Sequence, residues 1–286
     1  MARILIVDGA PQASQEALAP HGCPTNRQMF ERAFADQGGG VVCLTVNVAD
    51  GEALPPGTRL ADFDGAVLTG SPLNVYKAEP AVTRQIDLAR EIFRAGVPVW
   101  GSCWGLQLAV TALGGTVRLN PRGREIGIAR RIRRTEAGRN HALFDGKADT
   151  FDALCSHEDE VATLPAGATI LASNEVSDVQ AVEIETNAAS FLGVQYHPEH
   201  SFATSAAIIS GRRAKLASEG FAPSPDALEP LVADLQALDR DPARRDLAWR
   251  YGLDAQVLDR AVRSREIGNW LRTKVLARRN DRAAAA

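Results

Sequence analysis

The chain has 286 residues, a formal net charge of −3 and 45% hydrophobic residues, enough for one large α/β domain with an appendage or for two modest domains. So small a net charge argues against nucleic acid as the main partner. The start, Met-Ala-Arg then Ile4-Leu5-Ile6-Val7, lacks a secretory leader, and no run is long enough to span a membrane, so a cytoplasmic protein without membrane attachment is expected.

Arg3 to Asp8 reads as a buried parallel strand, apolar between its ends. Gly9 to Asn26 is rich in Pro, Gly, Ala and Ser and reads as a loop or short irregular helix. Arg27 to Gln37 carries Met29, Phe30, Ala33 and Phe34 at helical spacing and stops at Gly38-Gly39-Gly40. Val41 to Val46 follows as a second strand, which sets a βαβ rhythm. Gly65 to Leu68 is a third strand, ending in the turn Thr69-Gly70-Ser71-Pro72. Such a turn can aim backbone N–H groups into a cleft, as an oxyanion hole requires, or it can be a plain Gly-Ser-Pro turn. Ala81 to Ala95 is a helix with a broad apolar stripe, capped by Gly96.

Val97 to Trp100 is the next strand, and it feeds Gly101-Ser102-Cys103-Trp104-Gly105, after which good helix formers run to Leu113. A strand that turns sharply into a helix exposes one nucleophile at the bend. Glycine on either side avoids a clash in so tight a turn. Cys103 then sits at a helix N-terminus, where the positive end of the dipole favours thiolate. The same residues also fit a structural turn around a small buried side chain. Cys23, Cys43 and Cys155 read as ordinary thiols, and with no C-x-x-C pair neither a disulfide framework nor a metal site is expected.

After Gly114-Gly115 the runs become short and alternating, from Val117 to Leu119 through Phe191 to Gln195, as in a more antiparallel sheet. Arg130, Arg131, Arg133 and Arg134 read as a solvated strand face, with a basic docking surface as the alternative. Two histidine segments stand out: Ser156-His157-Glu158-Asp159 and Tyr196-His197-Pro198-Glu199-His200. In extended chain, residues i and i+2 share a face, so His197 and Glu199 can meet. A carboxylate beside an imidazole fixes its tautomer and stabilises the imidazolium, which suits a general base.

Together these segments resemble the class I (triad-type) glutamine amidotransferases. The likeness lies in Gly101-x-Cys103-x-Gly105-x-Gln107, Tyr196-His197-Pro198-Glu199, the Thr69–Pro72 turn and Ser156-His157-Glu158-Asp159. It covers roughly residues 1 to 210 and is nearest to stand-alone relatives of the glutaminase domain of GMP synthase. One departure is Ser71, where glycine is usual; the backbone donor survives it. The resemblance implies an α/β fold, flavodoxin-like, with a mostly parallel central sheet flanked by helices, an added antiparallel region and a C-terminal helical extension. It implies Cys103 as nucleophile, His197 as proton carrier and Glu199 as its orienting partner. The N–H groups of Gly70, Ser71 and Trp104 would form the oxyanion hole, and Gln107, Ser156 and His157 would line the substrate side, with His157 shaping the rim. His200 is expected to be a neighbour without a role. No cofactor is called for.

Thr204 to Leu216 reads as the last helix of a catalytic domain spanning 1–216. An extension, 217–286, then offers amphipathic helices over Pro223–Leu238, Asp246–Leu258 and Ala261–Leu276. Its basic residues could make a helix-turn-helix module, but acidic residues up to Glu266 dilute any basic face. Packing on the catalytic domain, or an oligomer or partner interface, fits better. Asn280 to Ala286 is expected to be disordered. With no phosphate-binding or pyrophosphatase loop, the chain shows no ATP-driven synthetase half. Three readings follow: a glutaminase that releases ammonia for a separate synthetase, placed first; a stand-alone γ-glutamyl amide or peptide hydrolase; and a non-catalytic binding or regulatory protein.

Overall fold

The computed structural model describes residues 1–38 and 40–284. Its strands begin with β1 (Ala2–Val7), β2 (Val41–Val46), β3 (Gly65–Leu68), β4 (Val99–Ser102), β5 (Thr116–Leu119) and β6 (Glu125–Arg134). They continue with β7 (Thr150–His157), β8 (Asp159–Thr163), β9 (Ala168–Ser173), β10 (Ala181–Glu185) and β11 (Ser190–Val194). One mixed sheet has the order β2-β1-β3-β4-β11-β10-β9-β6-β7, and β5 pairs with β8 apart from it. From β2 to β11 the neighbours are parallel; from β11 to β7 they are antiparallel. The antiparallel region is thus an extension of the central sheet, with only β5 and β8 separate. β11, expected among the alternating runs, instead lies parallel beside β4, setting Gly193 against Gly101 and Val194 against Ser102.

Alternation along the central strands divides their side chains between two cores. Leu5, Val7, Ala66, Leu68 and Val99 share one core with the helix Pro80–Arg94, whereas Ile4, Ile6, Val67 and Trp100 face the opposite layer. The helices of the first half are α1 (Gln12–Leu18), α2 (Asn26–Asp36), α3 (Pro80–Arg94) and α4 (Trp104–Ala112). α1 occupies part of the segment expected to be irregular. A capping box starts α2: Thr25 Oγ1 accepts from the Gln28 N–H, and Gln28 Oε1 from the Thr25 N–H.

The layer that shares the second face with α2 comes from the C-terminal end of the chain. Trp270 is fully buried, with its ring 6.2 Å from that of Trp100. Ile267, Leu271 and Val275 belong to the same core. Gly65 makes room for them, since a Cβ there would lie 2.8 Å from Val275 and 3.0 Å from Trp270. Three basic residues of this segment pair with acidic residues elsewhere in the protein. Arg260 pairs with Asp36 at 2.9 Å, Arg272 with Asp145 at 3.1 Å, and Lys274 with Glu183 and Glu185, each at 2.9 Å. These pairings offset part of the segment's positive charge.

The helices are more broken than expected. Arg212 divides the helix expected over 204–216 into Phe202–Gly211 and Arg213–Ser218. The stretch 261–276 contains short helices and a π-helical turn at Leu271–Val275. The disorder expected from Asn280 is corrected as far as Ala284: residues Leu276–Ala284 are helical, tied down by Arg278 on the Gly96 carbonyl and Arg282 on Asp64. The last two residues of that stretch lie outside the described residues. Among the described residues no helix is long and apolar enough to cross a membrane.

Removing the Trp270 ring would open a cavity in the core beneath Trp100. Trp270→Ala is therefore expected to cost about 3–5 kcal/mol in equilibrium urea unfolding. A loss below about 1 kcal/mol would contradict this role for the C-terminal helices.

Candidate active site

The parallel order brings the carboxyl ends of β1, β3, β4 and β11 to one edge, where open α/β sheets gather their chemistry. Cys103 follows β4 directly and is the N-cap of α4, with φ 52° and ψ −103°. Positive φ is costly for a side-chain-bearing residue, on the order of 1–3 kcal/mol. Close packing holds it there. A Cβ on Gly101 would lie 2.6 Å from the Gly105 carbonyl carbon, and one on Gly105 would overlap the Leu68 carbonyl oxygen. The Cys103 N–H donates to Val194 O at 2.8 Å, which pins the bend to β11. The sulfur lies 3.7 Å from the Ser156 carbonyl oxygen.

β11 delivers His197 and Glu199 to the same edge. His197 Nδ1 is 2.7 Å from Glu199 Oε1. The other carboxylate oxygen accepts from Ser102 Oγ at 2.9 Å, and Ser102 in turn accepts from Trp100 Nε1 at 3.0 Å. Ser102, one residue before Cys103, thereby ties β4 to the carboxylate. Burial alone would lower the His197 pKa, but the Glu199 charge, with the neighbouring Cys103 sulfur and the hydrogen bond to Glu199, pushes it up to about 10. His200 stacks on His197, with centroids 3.8 Å apart and planes 3° from parallel. Burial, then the neighbouring His197 charge, hold the His200 pKa well below the usual imidazole value. His197, Glu199 and His200 offer ligand atoms within 4.8 Å of one another. A metal ion does not suit them: imidazole lone pairs lie in the ring plane, and two parallel planes that far apart share no point.

The turn after β3 lies opposite. A Cβ on Gly70 would lie 3.1 Å from His197 Cε1. Asn26 Nδ2 donates to Gly70 O, to Thr69 Oγ1 and to Asp8 Oδ1, at 3.2, 3.1 and 2.8 Å. Because C=O and N–H point oppositely in a trans peptide, the contact on Gly70 O turns the Ser71 N–H away from Asn26. The N–H groups of Gly70, Ser71 and Trp104 have no acceptor among the described residues. Ser71 Oγ instead accepts from the Leu73 N–H. Burial raises the Asp8 pKa despite its hydrogen bonds from Asn26, Ala10 and Gln15.

Two cavities meet at Cys103. One, of about 220 Å³, is charged, and its lining includes Gln107, Ser156, His157, Glu158, Asp159 and Arg212. The other, of about 300 Å³, is mainly apolar and includes His197 in its wall. Gln107 is buried, donating to Asp159 O and Gln195 Oε1. Both ring nitrogens of His157 are engaged, with Asp159 O at 3.1 Å and Glu125 Oε2 at 3.0 Å, so it holds the wall. Ser156 Oγ accepts from Arg212 Nη1 at 3.0 Å. Arg124 and Lys215 are both paired with Glu158 and Glu219. No such ion pair holds Arg212 among the described residues, although it lines both cavities. The sequence alone assigned no role at the site to Asp8, Asn26, Ser102 or Arg212. An acidic residue closing an apolar strand was a usable signal for Asp8; no local pattern marked Asn26 or Arg212.

Residues 25–210 match the family model described as Glutamine amidotransferase class-I. The chain is similar to a "Gamma-glutamyl-L-1-hydroxyisopropylamide hydrolase" of Pseudomonas sp, 33% identical over 94% of this chain and 92% of that protein. It is similar to a GMP synthase (glutamine-hydrolyzing) of Streptomyces avermitilis, 42% identical over 51% of this chain, which spans only 26% of that protein's length. In fold it resembles a glutamine amidotransferase from Thermotoga maritima, with TM-score 0.62 at 21% identity, covering 93% of this chain and 98% of the other.

Because the folded His197 value lies above that of an unfolded chain, its charge contributes stability in full below about pH 6.5 and loses it as pH rises towards 10. Histidine NMR is expected to find the His197 ring protonated through neutral pH and to lose its proton near pH 10, with Glu199→Gln shifting that loss to lower pH. Titration of the wild-type ring at pH 6 to 7 would contradict the assignment.

Proposed function

The chain belongs to the class-I glutamine amidotransferase family, and from that premise we propose that it hydrolyses γ-glutamyl amides by itself through a thioester on Cys103. The observation that carries this reading is the likeness to a γ-glutamyl amide hydrolase over 94% of this chain and 92% of that protein, which takes in most of the C-terminal helical segment. The glutaminase-subunit reading, first on sequence alone, draws on the GMP synthase likeness and stands second. In either case the catalytic part is 1–216, with 217–286 as its helical cover.

Cys103 Sγ, as thiolate, attacks the γ-carbonyl carbon. The N–H groups of Trp104 and of the Gly70-Ser71 turn take up the developing negative charge, at about 2.7–4 kcal/mol per donor. As the C–N bond breaks, His197 passes its proton to the departing amine. Water, deprotonated by the same ring, then attacks the thioester carbonyl and releases glutamate and the Cys103 thiolate. Glu199, held by Ser102, keeps the ring oriented through both steps. The charged cavity suits the glutamyl zwitterion. Asp159, held by Asn74 and Tyr76, faces the ammonium, Arg212 faces the carboxylate, and Gln107, Ser156 and His157 shape the wall. A non-catalytic role would leave this constellation without a use.

Purified chain alone is expected to release glutamate from glutamine and γ-glutamyl amides, and rapid quenching should leave one glutamyl group on the peptide containing Cys103. Cys103→Ala should lower kcat by about 10³-fold or more. Retained activity in that variant would refute the thioester.

A further inference from the structure

His200 is a buried group at the site that the chemistry at Cys103 does not use. The turn His197-Pro198-Glu199-His200 is closed by the His200 N–H on His197 O at 3.2 Å. Proline suits the second position of such a turn because its ring presets φ. The chain thereby doubles back and lays the first and last side chains of the turn together. Their ring planes are 3° from parallel and their centroids 3.8 Å apart. Ser201 then caps the next helix, Phe202–Gly211, so His200 is held between two elements.

Hydrogen bonding does not account for a histidine at this position. His200 Nδ1 is buried and has no partner among the described residues, which costs free energy that no bond returns. Burial first, then the charges of His197, Arg212 and Arg263, hold its pKa well below the usual imidazole value. The ring is therefore neutral, and a neutral aromatic face attracts a cation stacked on it. That leaves the face of the ring as the part with a use. The His197 ring is otherwise held only at its edge. Glu199 Oε1 meets Nδ1 at 2.7 Å, and Gly70 leaves little room at Cε1, where a Cβ would come within 3.1 Å. One bond at Nδ1 lets the ring swivel, because rotation about χ2 of histidine is broad. A flat face parallel to the ring opposes that rotation.

We infer that His200 is a positioning residue, whose face fixes the plane of His197 so that Nε2 stays aimed at the reacting atoms. This role rests on the thioester reading above, and it weighs most in deacylation. In the acyl-enzyme the sulfur is bonded to carbon and uncharged, and His197 has given its proton to the amine. The attraction of the ring for Glu199 and for the sulfur is then at its weakest, whereas the stack persists. Water must next bond to the thioester carbon while its proton goes to Nε2. The C–S bond then breaks and returns the thiolate.

The full chain is compared with His200→Leu, which keeps the buried volume without a flat face, and with His200→Phe, which restores the face without the nitrogens. Hydrolysis of L-glutamine and γ-glutamylmethylamide is followed at steady state, with rapid quenching to count the glutamyl groups on Cys103. His200→Leu is expected to lower kcat about 10²-fold, the scale of a misplacement of about 1 Å. KM should fall with it and the acyl-enzyme should accumulate, since deacylation suffers more than acylation. His200→Phe should recover about tenfold or more of that loss. In the wild-type protein, which serves if a variant fails to fold, the carbon-bound protons of the His197 ring should resonate upfield of a free imidazolium, shielded by the ring stacked on it. A His200→Leu kcat within about threefold of wild type, equal losses in the two variants, or unshielded His197 protons would overturn the positioning role while leaving the thioester intact. If the wild-type chain hydrolysed no γ-glutamyl compound and Cys103 stayed unacylated, the functional reading and this role would fall together.

Discussion

The bend between β4 and α4 is the constraint on which the site depends. Cys103 holds a left-handed backbone because the chain before and after it packs too tightly for any alternative. Gly101 meets the Gly105 backbone, and Gly105 lies against Leu68 of β3. The neighbours therefore fix Cys103 from two strands at once, and the N–H bond to Val194 adds a third. The strain stored in that one residue, on the order of 1–3 kcal/mol, is small against the burial of the strands that enforce it. Substituting either glycine would displace the whole arrangement, since β3 also carries the Gly70-Ser71 turn.

From that fixed point the other groups follow by strand order. β11 had to lie parallel beside β4 for His197 and Glu199 to reach Cys103, and the Gly193–Gly101 pairing lets the two strands approach at the level of the bend. Behind them, Trp100 reaches down through Ser102 to Glu199 on one side and packs on Trp270 on the other. Tyr196, adjacent to His197, donates to Glu266 at 2.8 Å, and Lys147 closes that buried cluster at 3.3 Å. The C-terminal helices thus bear through buried contacts on the sheet edge that carries His197. Arg260 and Lys274, ambiguous in the sequence, pair with acidic partners on α2 and β10.

What was legible in the sequence was local or carried by motif. The alternating strands, the Cys103 bend and the i, i+2 spacing of His197 and Glu199 follow from backbone geometry that neighbours in sequence determine. Partners far apart in the chain were not legible. Asn26 acts on Gly70 across 44 residues and Arg212 on Ser156 across 56, and nothing in the residues flanking either one records that meeting. The fragmentation of the C-terminal helices has the same origin. Apolar spacing over 261–276 predicts one amphipathic helix, but fitting Trp270 and Val275 around Gly65 takes a π-helical turn that periodicity alone cannot anticipate.

The order of the functional readings changed for a related reason. Motifs shared across the family could not separate release of ammonia from release of a larger amine, because the thioester chemistry is common to both. What separates the two readings lies outside those motifs, in a likeness to a γ-glutamyl amide hydrolase over 94% of this chain. The central claim, a common glutamyl thioester on Cys103, is tested most directly by partitioning with hydroxylamine. Purified chain is given several γ-glutamyl amides in the presence of a fixed hydroxylamine concentration, and the ratio of γ-glutamyl hydroxamate to glutamate is measured for each. A single acyl-enzyme predicts the same ratio whichever amine departs; a ratio that varies with the leaving amine would contradict it.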